Sequence, residues 1–142
     1  MIVDASVILM AFLSDEESHL EAQALLYTHA IRSVHLDAPD LIRHEIANTL
    51  VKAVSRNRIS EQTALEVIET FESLGISFHA VSISDAFKSA SRYGRSAYDA
   101  AYLALAELLD TELVTGDRRL YNAIQTRFKR IIWIGDYRPP ET

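Results

Sequence analysis

Short apolar runs alternate with longer stretches of helical spacing along this chain, and few folds satisfy that alternation. Ile2 and Val3 read as a short buried strand, and Asp4-Ala5-Ser6 then opens a helix to about residue 13. Residues 16–33 carry Leu20, Ala24, Leu25 and Ala30 at helical spacing, with Ile31 beside them. Residues 35–38 make a weak strand that Pro39 closes. Asp40 is placed as N-cap of a helix over 41–55, with Ile42, Ile46, Leu50 and Ala53 or Val54 as its apolar stripe. Ser60 caps a helix to Leu74 that turns Ala64, Val67, Ile68 and Phe71 inward, and Gly75 ends it. A strand over 76–81 follows. Ser84 opens a short helix terminated by Gly94, and Ser96 opens another through Ala100, Leu103, Ala104 and Leu108. A strand over 112–115, a helix over 117–127 and a strand over 131–134 complete the pattern. Strands joined by helical crossovers predict an α/β fold, a three-layer α/β/α sandwich around a central, mainly parallel sheet. Open sheets of this kind bind ligands beyond the carboxyl ends of their strands.

The 142 residues are 49% hydrophobic, which suits one domain over 1–142 with a full core. There is no cysteine, so a disulfide framework, a thiolate zinc site and a cysteine nucleophile are excluded. No run of about 18 apolar residues predicts a membrane span. Residues 1–13 are apolar but carry no basic leader, and Asp4 and Ser6 interrupt them, so they read as strand and helix rather than signal peptide. A cytoplasmic location is expected. The net charge of −6 is a poor footprint for a stable nucleic-acid binder. Bound cations would reverse that sign locally.

Four acids stand where predicted strands end or helices begin: Asp4, Glu45, Asp99 and Asp117. Each is flanked by apolar residues, and a carboxylate so close to a core is costly unless something neutralises it. A shared divalent cation would do so, and would suit metal-dependent phosphodiester hydrolysis. Each acid also has a plainer reading. Asp4 and Asp117 can cap the helices that follow them. Ser96-Ala97-Tyr98-Asp99 has the spacing of a capping box. Glu45 falls beyond its helix cap, beside Ile42 and Ile46, where a solvated boundary position is the alternative. Hard divalent cations take oxygen ligands, and like charges gathered without a cation repel.

The motifs Ile2-Val3-Asp4-Ala5-Ser6, Glu45-Ile46-Ala47-Asn48, Tyr98-Asp99-Ala100-Ala101-Tyr102-Leu103-Ala104 and Leu113-Val114-Thr115-Gly116-Asp117-Arg118-Arg119-Leu120 occur in this order. Together they resemble the PIN-domain family, in particular its single-domain VapC toxin type. The resemblance covers nearly the whole chain. It implies a PIN-like fold and an acidic site of Asp4, Glu45, Asp99 and Asp117 binding Mg²⁺ or Mn²⁺. It implies ribonuclease activity on structured RNA, a homodimer and, for the toxin type, an antitoxin partner. Ser6 and Thr115 match the small hydroxyl positions that the family sets beside its site.

On this reading Asp4 and Asp99 are direct metal ligands, and Asp117 is a ligand directly or through water. Glu45 ligates a second ion or orients the attacking water. Ser6, Thr115 and Asn48 are expected to hold the carboxylates by hydrogen bonds. Arg92, Arg95, Arg118 and Arg119 flank the Asp99 and Asp117 motifs and are candidates for RNA backbone contacts, with solvated surface residues as the plain alternative. His19 and His29 are placed on exposed helix faces, and Tyr98 and Tyr102 are read as packing residues. Two other function classes stay open: a PIN-like module that binds RNA or protein without cutting, and an Asp-based phosphatase. The second often carries another Asp two residues after the first, where this chain has Ser6.

Overall fold

A computed structural model describes residues 1–13 and 15–141. Five parallel strands form one sheet: β1 (Ile2–Val3), β2 (Asp37–Pro39), β3 (Ser77–His79), β4 (Leu113–Thr115) and β5 (Ile131–Trp133). Their order is β3-β2-β1-β4-β5. Ile2 pairs with Asp37 on one side and Leu113 on the other, and Val3 pairs with Val114. The strands are short, and all three residues of β4 are buried, as expected of a parallel sheet covered on both faces.

Among the described residues seven helices cover the sheet: α1 (Ala5–Phe12), α2 (His19–Ala30), α3 (Ile42–Ser55), α4 (Glu61–Ser73), α5 (Ile83–Tyr93), α6 (Ala97–Leu108) and α7 (Arg118–Ile124). Right-handed crossovers set α1–α4 on one face and α5–α7 on the other. The packing agrees: α1 lies on α2 and α3, α3 on α4, and α5 on α6, while α6 spans β2, β1 and β4. The chain leaves β1 outward to β2 and β3, then crosses back to β4 and β5. The direction therefore reverses between β1 and β4, and the crevice for ligands lies beyond the carboxyl ends of those two strands.

The stripes expected on α3 and α4 are the buried ones: Ile42, Ile46, Leu50 and Ala53, then Ala64, Val67 and Phe71. Ser60 caps α4 by accepting the Thr63 N–H, and Gly75 and Gly94 follow their helices at φ +72° and +63°. Other expectations need correction. Helix α2 begins at His19 rather than residue 16 and buries Ala22, Leu25, Leu26, Thr28 and His29, while Leu20 is 74% exposed. Two polar side chains face inward there because each is fully partnered. Thr28 pairs with the Tyr137 hydroxyl at 2.7 Å. His29 accepts the Leu36 N–H at Nδ1, which leaves the proton on Nε2 to donate to the Leu74 carbonyl at 2.8 Å. Buried polar groups satisfied in this way cost little.

Pro39 ends β2 as a member rather than closing it from outside. Asp40 supplies the N–H to the His79 carbonyl, so the absent proline N–H leaves no gap in the ladder. With its backbone in the ladder, Asp40 is not the cap of α3, which begins after Leu41 without a side-chain cap. Ser82, not Ser84, caps α5 by accepting the Asp85 N–H. Leu108 points outward at 60% exposure. Among the described residues no helix is long and apolar enough to cross a membrane.

Leu103 is fully buried where α6 crosses the sheet. Leu103→Ala should lower the unfolding free energy by about 3 kcal/mol in urea titration, the usual size for a buried leucine truncation. A change under about 1 kcal/mol would contradict this packing.

Candidate active site

Val3 ends β1, and Asp4 then takes an extended conformation that starts α1. Its Oδ1 accepts the Ser6 N–H at 2.6 Å and the Ser6 hydroxyl, and its Oδ2 accepts the Thr115 hydroxyl. The same hydroxyls reach the next strand's motif. Ser6 Oγ accepts the Gly116 N–H at 2.8 Å, and Thr115 Oγ1 accepts the Asp117 N–H at 2.9 Å. Asp117 caps α7 through Oδ1, which accepts the Arg119 and Leu120 N–H groups at 3.0 and 3.2 Å. Two small hydroxyl side chains thus join the β1–α1 and β4–α7 junctions into one unit.

Glu45 comes from α3 and Asp99 from the first turn of α6. The Tyr102 hydroxyl donates to Glu45 Oε1 at 2.6 Å. The Asp99 N–H is capped by Ser96 Oγ at 3.1 Å, while its Oδ2 accepts Arg95 Nε and Nη2 at 3.2 and 3.0 Å. The capping geometry and an acid available for chemistry therefore coexist: the cap uses the Asp99 backbone and leaves the carboxylate to the site.

All four carboxylates line one cavity of about 380 Å³. Among the described residues, no three His, Asp or Glu side chains stand in an arrangement that could hold a metal ion as they are. Ser6 and Thr115 hold Asp4, Tyr102 holds one oxygen of Glu45, and Arg95 draws Asp99 aside. Glu45 Oε2, Asp99 Oδ1 and Asp117 Oδ2 accept no hydrogen bond among the described residues. An all-oxygen set with such spare acceptors has the donor chemistry of a hard cation site, as for Mg²⁺ or Mn²⁺.

The electrostatics point the same way. Burial pushes the Asp4 carboxyl above its ordinary value, against the hydrogen bonds from Ser6 and Thr115 that favour the charged form; Asp117 raises it further. Burial also raises Glu45, with Tyr102 opposing and Asp4, Asp99 and Asp117 all adding repulsion. Tyr102 is raised by burial and then by the Asp4 and Glu45 charges, which keeps its hydroxyl a donor.

The structure brings Ser6, Thr115 and Arg95 to the acids. It leaves Asn48 exposed, with no hydrogen bond to them among the described residues. One residue on, Thr49 lines the cavity, because the acids lie on the i+4 side of Glu45 rather than the i+3 side. Arg92 lies in a separate cleft between α5 and α6, 3.8 Å from Glu107. Arg118 pairs with Glu17 at 2.9 Å and lies over the Trp133 ring, and the Arg119 side chain is exposed. Tyr98 and Tyr102 part company: Tyr98 is 69% exposed and Tyr102 is buried against Glu45. His29 is a buried structural residue rather than an exposed one. Sequence reading missed Tyr102, Thr49, Glu16 and Arg58 as cavity residues. Tyr102 carried a signal, since it stands three residues after Asp99 on the same helix face.

Because burial raises the Glu45 carboxyl above its unfolded value, the stability it contributes is fully present below the unfolded value and is lost as pH rises through the raised one. Glu45→Gln keeps an acceptor for Tyr102 without the charge. In EDTA, the variant should melt above wild type at pH 7.5, and the gap should close towards pH 4.5. An equal gap at both pH values would contradict the assignment.

Known proteins resemble this chain over most of its length. The PIN domain family model matches residues 1–124. Ribonuclease VapC3 of Pyrobaculum aerophilum is 33% identical over 124 residues, covering 84% of this chain and 91% of that protein. VapC ribonuclease Mb0985 of Mycobacterium bovis is 31% identical over 128 residues, covering 89% and 93%. The crystal structure of PAE2754 from Pyrobaculum aerophilum superposes with a TM-score of 0.70 at 24% identity, covering 94% of this chain and 87% of that one, and so shares the fold.

Proposed function

The chain belongs to the PIN domain family, and we propose that it is a metal-dependent ribonuclease, the toxin of a type II toxin–antitoxin pair. The observation that carries this reading is the convergence of Asp4, Glu45, Asp99 and Asp117, from four separate elements, on one cavity. The ribonuclease names of relatives near 30% identity support it.

Asp4, Asp99 and Asp117 would hold Mg²⁺ or Mn²⁺, with Glu45 holding a second ion or facing the attacking water. A bound divalent ion supplies charge neutralisation for the phosphodiester and its leaving oxygen. The protein's own share is positional. Ser6 and Thr115 fix both oxygens of Asp4, and Tyr102 fixes Glu45. Glu45, whose Oε2 accepts no hydrogen bond among the described residues, is placed to take a proton from the attacking water as its oxygen bonds to phosphorus and the bond from phosphorus to the leaving oxygen breaks. Arg95 stands on Asp99 and can turn to an incoming phosphate, while Arg92, Arg118 and Arg119 are candidates for backbone contacts outside the cavity. Ile83, Phe87 and Tyr98 are 89%, 69% and 69% exposed around an apolar groove between α5 and α6, which supports a protein partner there, whether a second copy or an antitoxin.

The test is cleavage of a panel of structured RNAs with Mg²⁺ or Mn²⁺ and with EDTA. Wild type should cut only with metal, and Asp99→Asn should lower the rate by more than about 100-fold, beyond the usual cost of losing a supporting hydrogen bond at a metal site. Cutting that persists in EDTA or in the variant would overturn the reading. Expression of wild type should arrest growth, and Asp4→Asn should relieve the arrest; equal toxicity would count against the toxin role.

A further inference from the structure

Among the described residues the lining of the acidic cavity holds Asp4, Glu16, Glu45, Asp99 and Asp117, and the sole basic side chain is Arg58. Arg58 is not part of any motif that marks the acids, and it reaches the cavity from the turn that ends α3.

That turn is built to a fixed geometry. Asn57 adopts φ +56°, its N–H donates to the Val54 carbonyl at 3.0 Å, and the Arg58 N–H donates to the Ala53 carbonyl at 2.9 Å. This is the paired closure of a helix C-terminus in which asparagine substitutes for glycine. It sets the Arg58 backbone three residues past the end of α3, beside the cavity.

The guanidinium is engaged at one corner only. Nη2 donates to Glu16 Oε1 at 2.6 Å and to Asp15 Oδ1 at 3.0 Å. Nε and Nη1 donate to nothing among the described residues. Arg95, in contrast, commits both Nε and Nη2 to Asp99. Both paired donor edges of a guanidinium, Nε with Nη2 and Nη1 with Nη2, include the nitrogen that Glu16 and Asp15 hold, so a phosphate gripped by the fork takes Nη2 from them and adds Nε or Nη1. Its present partners are partly exposed carboxylates, with 68% exposure for Asp15 and 32% for Glu16. Such pairs are weak in water and exchange readily.

We propose that Arg58 binds a backbone phosphate of the RNA lying in the acidic cavity, and that Glu16 competes with that phosphate for the guanidinium. The inference rests on the ribonuclease reading, which makes RNA the ligand. Glu16 keeps Arg58 at the cavity between binding events and sets how tightly RNA is held.

The experiment is anisotropy with a labelled, mixed-sequence 2′-O-methyl phosphorothioate oligonucleotide, in Mn²⁺ and at rising NaCl. The proteins are wild type, Arg58→Gln, Arg58→Lys, Glu16→Gln and the Arg58→Gln/Glu16→Gln double variant, each checked for folding by its melting curve. Arg58→Gln should weaken binding about tenfold, the value of one charge-assisted contact. It should also flatten the slope of log affinity against log salt by about 0.7, the value of one phosphate contact on a single strand. Arg58→Lys should keep the slope. Glu16→Gln should tighten binding, and by much less once Arg58 is gone. Unchanged affinity and slope in Arg58→Gln, where wild type binds, would overturn the assignment of Arg58 alone. Tightening by Glu16→Gln that is equal with and without Arg58 would overturn the competition. Absence of binding by wild type would remove the RNA reading and this inference with it.

Discussion

Both oxygens of the Asp4 carboxylate are spoken for, and the partners that hold them tie the centre of the sheet together. Ser6 and Thr115 donate to Asp4 and at the same time accept the backbone N–H groups of Gly116 and Asp117. Burying a carboxylate costs several kcal/mol. The three hydrogen bonds on Asp4 return roughly 1.5–3 kcal/mol each. The two sums are of similar size, and the raised proton affinity of Asp4 shows that burial prevails. The unit is well organised and electrically unfinished. Burial and the Asp117 charge both disfavour a bare carboxylate there, and the cation we propose would offset both.

The same economy extends to the other acids. Asp117 caps α7 with one oxygen and keeps the other, and Asp99 lends its backbone to the Ser96 cap and its carboxylate to the cavity. Capping and ligation use different atoms, so a helix start at the end of a parallel strand can serve both. The sheet order makes this productive, because the chain reverses direction between β1 and β4 and opens a crevice over their carboxyl ends. Glu45 enters from the opposite helical layer, and Tyr102 of α6 meets it there, joining the two layers above the sheet.

What the sequence disclosed follows the range of the interactions involved. Asp4 and Asp117 were legible because strand, acid and helix are consecutive, and the stripes of α3 and α4 because helical periodicity is local. The inward face of α2 was not legible. Thr28 and His29 are polar, and their partners Tyr137 and Leu74 lie far along the chain. Asp40 looked like a cap because Asp favours caps, but the ladder to β3 claimed its backbone first. The bond from Tyr102 to Glu45 spans 57 positions and that from Arg58 to Glu16 spans 42, so no spacing rule could reveal either. Asn48 and Thr49 differ by one helical step, and only the packed helix shows which of them faces the acids.

We propose that Asp4, Glu45, Asp99 and Asp117 form one cation centre. Anomalous diffraction from crystals soaked in Mn²⁺ would locate the ion. The expected result is a peak within ligand distance of Asp4, with Asp99 or Asp117 or both completing the set and Tyr102 still on Glu45. A protein that binds Mn²⁺ in solution but shows its peak away from these residues would contradict it.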